Sequence, residues 1–326
     1  MENRKKISPG TVALYLLAVA VVAFNISLMF DNVAWGDEAY SLNLVRDNGF
    51  AGIITQTYVI DAHPPLYHLL LKIVVGNPSN PTDFAYLAHF DSLIPFIAGV
   101  VMALTAFRKY FGEFAAAMFI ILSGLADTCI RNNLEIRMYS WVFFFLLVSL
   151  FAGYLVLNRA GGKVSWIMML VFADLAGYTH YYGIMAGGLL VTIVAFLYFC
   201  RYRGKSWRTI FLCPVMYVVL YAPWLGALIK HLTVVKDDFW IKESATLRTV
   251  LQYILLGGRL WKIMFVLLVV SSVLFFFMES GTIGFRKEQD GVALVCKKAF
   301  RLHFSSPEFM GLCMCVLLLV PVVGLP

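Results

Sequence analysis

The sequence predicts an all-α polytopic membrane protein, a bundle of spanning helices with short helices lying in the interface in its first outer loop. Three observations predict it. The chain of 326 residues is 61% hydrophobic, with a mean hydropathy of +0.80 and only 14% charged residues. A soluble domain usually carries about 25% charged residues, so the solvent for this much apolar surface is lipid. The apolar residues also fall into runs close to the roughly 20 residues that a spanning helix needs. Finally, the basic residues sit in short clusters between alternate runs, which is the positive-inside pattern.

Nine spans follow in order: 11–30, 86–107, 114–128, 139–157, 164–180, 183–200, 209–229, 260–278 and 309–325. The first resembles a signal peptide in its charged start. Its apolar run from Val12 to Phe30 has full spanning length and no small-residue cleavage site after it, so it reads as a retained helix. With a cytoplasmic N-terminus, 16 of the 26 basic residues fall on inner segments, among them Arg4, Lys5, Lys6, Arg108, Lys109, Arg159, Lys163 and Arg201. Of the 19 acidic residues, 13 fall outside or in the outer half of a span. The net charge of +7 is therefore a topology signal, and nucleic acid is not expected as a partner.

The chain reads as one transmembrane domain over 1–326, with long outer loops at 31–86 and 231–259. Within the first loop, Pro65 to Val75 is too short to span and is expected to lie in the interface or re-enter. The sequence stops in an apolar run at Pro326, as a piece of a longer chain would. Cys129, Cys200, Cys213, Cys296, Cys313 and Cys315 show no disulfide or zinc spacing and read as ordinary membrane-helix residues.

The residues able to do chemistry lie in three segments on the outer side. WGDEAYSLNLV supplies the adjacent carboxylates Asp37 and Glu38; DAHPPLYHLLLK supplies Asp61 and His63 before a rigid Pro-Pro turn. RNNLEIRMYSW carries Arg131, Glu135, Arg137 and Tyr139. Arg131 and Glu135 are spaced to pair on a helix. Arg137 opens a span, where an arginine is costly to place and favours a bound anion as its partner. The third segment is Asp174 with GYTHYYG, in which Asp174, Tyr178 and Tyr181 would share one helix face. An aspartate within a span is a functional candidate, with a hydrogen bond to Tyr178 as the alternative. His180 reads as a metal ligand or an interfacial histidine. Together these groups suit a phosphate-bearing lipid and an acceptor hydroxyl at the outer surface.

WGDEAYSLNLV, DAHPPLYHLLLK, EIRMYSW and THYYG, in that order, resemble bacterial members of the protein-O-mannosyltransferase-like glycosyltransferases, glycosyltransferase family 39 of the GT-C fold class. The resemblance covers about residues 11–230 and is most specific in the first loop. It implies a GT-C-like bundle in the plasma membrane, a polyprenyl-phosphate-linked sugar donor and a lipid, glycan or protein acceptor on the outer face. It implies Asp37 as catalytic base with Glu38 beside it. The region Asp61, His63 and Tyr67 would build the donor and metal site, with Arg131, Arg137, Tyr139 and Tyr181 as further substrate contacts. The one cofactor it allows is a divalent metal ion, on Asp61, His63 and His180. Where many relatives carry an arginine at the start of the second span, this chain reads AHFDSLIPF, with His89 and Asp91. Two other readings compete: a lipid or solute transporter or flippase, and a non-catalytic lipid-binding subunit.

Overall fold

The computed structural model describes residues 9–31, 34–61, 63–77, 80–202 and 207–234, together with 283–288 and 291–296. The spans expected at 260–278 and 309–325, and most of the second outer loop, lie outside the described residues. Eleven α-helices are described. They are α1 (Pro9–Leu28), α2 (Gly36–Asp47), α3 (Phe50–Val59), α4 (Leu66–Val75), α5 (Pro81–Met102), α6 (Arg108–Leu125), α7 (Asp127–Leu134), α8 (Tyr139–Leu157), α9 (Gly162–Thr179), α10 (Tyr181–Arg201) and α11 (Trp207–Val234).

Among the described residues, five helical stretches are long and apolar enough to cross a membrane: Pro9–Leu28, Thr82–Leu125, Tyr139–Leu157, Tyr181–Arg201 and Arg208–Thr233. The chain is thus a multi-pass helical membrane protein. Thr82–Leu125 contains both α5 and α6, joined through a π-helical turn at Ala103–Phe107. Its path breaks at Gly112, whose φ of 86° ends the continuous ladder, a conformation open to glycine and strained for most other residues. Two short strands, Ile283–Glu288 and Gly291–Cys296, pair antiparallel with Ile283 opposite Cys296. The all-α expectation did not include them, because charged residues in that stretch read as an inner loop.

Two apolar cores hold the bundle. Leu14, Val21, Leu93, Phe96, Ile120 and Leu147 join α1, α5, α6 and α8. Met169, Ala173, Val191 and Val194 join α9 and α10, with Tyr217 of α11 and Leu150 of α8. A few polar ties add register. Asn25 of α1 is fully buried, donates to the Gly124 carbonyl at 2.8 Å, and accepts from Asn133 of α7 at 3.2 Å. In an apolar surrounding such a group stays only where it is hydrogen-bonded, so this tie fixes how α1 meets α6 and α7.

The segment between α1 and α5 is a cap of three helices, α2, α3 and α4. Val45, Ile53, Tyr67, Leu71 and Val75 pack on Phe84, Ala88, Ile136 and Met138. α4 is drawn into this core by Tyr67, His68 and Leu71, all with no exposed surface. The expected interfacial segment is therefore half inside the protein. α3 instead shows Phe50, Ile54, Tyr58 and Val59 at its surface, the amphipathic pattern of an interfacial helix. Lys72 ties the cap together, donating to the Val45 carbonyl and to Asn77, each at 2.7 Å.

Candidate active site

The segment between α7 and α8 carries Arg137, and its backbone decides where that arginine points. Its groups lie beyond the helix ends and need partners from elsewhere. His89 Nδ1 lies 2.6 Å from the Leu134 carbonyl, so the ring carries its proton there. Ser92 donates to the Glu135 carbonyl at 2.6 Å. The Ile136 N–H donates to Glu38 Oε1 at 2.6 Å. Glu38 Oε2 accepts the Trp35 N–H at 2.9 Å, closing the start of α2. One buried carboxylate, 3% exposed, thus joins the start of α2 to the start of α8. His89 and Asp91 stand where the resemblance expects an arginine. Here they support the segment: Asp91 Oδ2 accepts the Trp141 indole N–H at 3.1 Å.

Held this way, Arg137 lies beside α2. Its Nη2 is 3.9 Å from Asp37 Oδ2, and its Nη1 donates to the Asp37 carbonyl and Ser41 Oγ, each at 3.4 Å. The arginine is 6% exposed and its Nε–H has no partner among the described residues. The Asp37 carboxylate is 58% exposed. Asp37 and Glu38 therefore separate by role: Glu38 is committed to two backbone N–H groups, while Asp37 faces outward with one long ionic contact.

The Pro-Pro turn brings the second motif to the same place. Asp61 Oδ1 is 2.9 Å from His63 Nδ1, and Asp61 Oδ2 is 3.9 Å from Nδ1 of the fully buried His68. Burial works against ionisation of Asp61. The His63 hydrogen bond and the Arg137 charge outweigh it and hold this carboxyl below its ordinary range. Burial lowers His68 to about 4, so its ring is neutral at pH 7. Tyr40, on the same side of α2, is raised to about 12 by burial and by the Asp61 charge. Tyr139 opens α8 two residues after Arg137. Nothing in the sequence alone singles out His68 or Tyr40.

His180 joins from the turn between α9 and α10, its ring centre 5.3 Å from that of His63 and 6.1 Å from that of Tyr139. Its Nδ1 accepts the Tyr182 N–H at 3.0 Å and caps α10. Burial, His63 and Arg137 lower it to about 3, so the ring is neutral and its proton is on Nε2. As placed, neither nitrogen of His180 offers a lone pair to a cation. Among the described residues no three His, Cys, Asp or Glu side chains are arranged to hold a metal ion. Asp61, His63 and His180 do converge, but this donor set does not fit a divalent ion.

Other expected site residues are placed differently. Tyr67 is fully buried under the cap, its ring 5.1 Å from that of His68. Tyr181 is not on the face of Asp174 and Tyr178, because α9 ends at Thr179 and α10 starts at Tyr181. Its hydroxyl is 2.5 Å from His231 Nδ1, and His231 Nε2 is 3.1 Å from the Tyr58 carbonyl, linking α10, α11 and α3. Tyr178 donates to the Leu220 carbonyl at 2.9 Å, not to Asp174. Arg131 and Glu135 lie apart from the Asp61 cluster, lining a cavity with Trp35.

All three motif segments and the end of α11 meet at one end of the bundle. At the other end the basic residues have partners of their own. Arg159 lies 3.7 Å from the Tyr202 ring centre, and Arg108 donates to Tyr15 at 3.3 Å. In comparisons with known proteins, no protein family, no curated protein and no solved structure matches the chain.

Proposed function

We propose that the protein is a membrane glycosyltransferase that moves a sugar from a polyprenyl-phosphate donor to an acceptor hydroxyl on the outer face of the plasma membrane. On this reading the bundle is of the GT-C class and the N-terminus is cytoplasmic. The observation that carries the proposal is the meeting of an exposed carboxylate, Asp37, with a buried arginine, Arg137, at 3.9 Å at one end of a membrane bundle.

The chemistry needs a base and an anion site. Asp37 accepts the proton of the acceptor hydroxyl as that oxygen attacks the anomeric carbon. The bond from that carbon to the phosphate oxygen breaks, the polyprenyl phosphate leaves as an anion, and the configuration inverts. A base of this kind contributes about 10²–10⁴-fold. The leaving phosphate is stable once charged and needs neutralisation, not a proton. Arg137 meets that need, since a buried Nε–H with no partner among the described residues suits an anionic oxygen. Asp61, His63 and His180 form the neighbouring wall, where an ionised Asp61 and the imidazole rings can bind the hydroxyls of the donor sugar.

One observation favours a second reading, a lipid or solute transporter. Both carboxylate oxygens of Asp174, within α9, are buried without a hydrogen-bond partner among the described residues. Such residues often mark a transport path. Extraction of the lipid that copurifies with the protein tests between the two. The glycosyltransferase reading expects a polyprenyl-phosphate sugar by mass spectrometry, retained by the wild type and weakened by Arg137→Ala. A protein that retains no such lipid, even with donor added, contradicts it.

A further inference from the structure

Beside the segment that presents Arg137 lies a cavity of about 450 Å³. It is bounded by Trp35 and Glu38 at the start of α2, by Asp127 and Arg131 of α7, and by Glu135. This volume is within the ~300–1,000 Å³ usual for small-molecule sites. None of the chemistry above uses it.

Trp35 is its distinctive wall. The residue is 54% exposed. Its backbone N–H is held by Glu38 Oε2 at 2.9 Å, and its side chain lines the cavity with Glu135. An exposed indole on an anchored backbone offers a large apolar face to a ligand. The negative face of the ring attracts weakly positive C–H groups, such as those on one side of a sugar ring. Around it, Asp127, Arg131 and Glu135 supply hydroxyl-binding groups. Three carboxylates, those of Glu38, Asp127 and Glu135, around one guanidinium disfavour an anionic guest. Trp35 and Glu38, which bound the cavity, flank Asp37 in the chain.

We propose that this cavity is the acceptor subsite and takes an uncharged saccharide, stacked on Trp35 and hydrogen-bonded by Asp127, Arg131 and Glu135. The word acceptor rests on the transferase reading; the saccharide site does not. The test uses the full chain in lipid nanodiscs. Maltotriose, mannotriose and chitotriose are the neutral probes and trigalacturonate the anionic one, read by saturation-transfer NMR. Retention of a polyprenyl-phosphate hexose is measured in parallel. At least one neutral trisaccharide is expected to bind. Trp35→Ala should weaken it tenfold or more, Trp35→Phe less than threefold, and neither should change donor retention. If Trp35→Ala fails to fold, Arg131→Gln on the exposed face of α7 reads the same site and should weaken binding at least threefold. The proposal is overturned if no neutral trisaccharide binds the wild type, if trigalacturonate binds more tightly, or if the folded variants bind as the wild type does. Saccharide binding through Trp35 in a protein that retains no donor would instead defeat the transferase reading and leave the saccharide site standing.

Discussion

Two adjacent carboxylates, indistinguishable as letters, have opposite fates here. Glu38 bridges two backbone N–H groups, that of Trp35 and that of Ile136 98 positions away, and is 3% exposed, while Asp37 is open. The acidic pair was legible in the sequence; the division of labour was not, because it depends on a hydrogen bond to the distant Ile136. Glu38→Ala should therefore act first on stability. It strands buried N–H groups at about 1–3 kcal/mol each, read as a lowered thermal midpoint. Glu38→Gln, which keeps a carbonyl acceptor, should recover part of that loss. His68 gives a pH signature. Its folded pKa of about 4 is below the ordinary value of 6.5, so the unfolded chain takes up the proton first as pH falls. Stability is full above pH 6.5 and is lost toward pH 4, by about 3 kcal/mol in the limit. Thermal midpoints at pH 7 and pH 5 should converge in His68→Gln relative to wild type. An unchanged pH dependence would contradict the burial of a neutral ring.

Elements were the most legible scale, since long apolar runs between basic clusters leave few alternatives. Tyr139–Leu157 begins and ends where the sequence places it. The loop between the first two spans was less legible, because α2 buries 4 of its 12 residues, α3 2 of 10 and α4 5 of 10, and none shows a full-length apolar run. The α9–α10 turn shows why tertiary packing is needed. His180 breaks the helix, so a face drawn through Asp174, Tyr178 and Tyr181 does not exist. Gly183 makes that turn possible, since a Cβ there would run into the Ala176 carbonyl oxygen of the preceding helix. Gly183→Ala must push backbone against backbone. It should cost about 1–3 kcal/mol and displace His180 from His63, lowering the thermal midpoint and donor affinity together. A variant with wild-type midpoint and affinity would show that the two helices do not pack this closely.

At the scale of the whole molecule, three motif segments scattered over 150 residues come to one end of the bundle, and partnered basic residues occupy the other. The gathering was legible from alternating topology alone; the contacts Asp37–Arg137 and His63–His180 were not, because nothing local encodes them. In a cysteine-replaced background, Asp47→Cys at the motif end should react with an impermeant maleimide on intact cells, and Arg159→Cys should react only after lysis. The reverse labelling would put the site on the cytoplasmic side. The central claim is that Asp37 removes the acceptor proton. The most direct measurement is single-turnover sugar transfer from a polyprenyl-phosphate donor by Asp37→Asn in reconstituted membranes, with donor retention measured on the same protein. The account predicts transfer lowered by at least about 10²-fold with donor retention within threefold of wild type; near-wild-type transfer would contradict it.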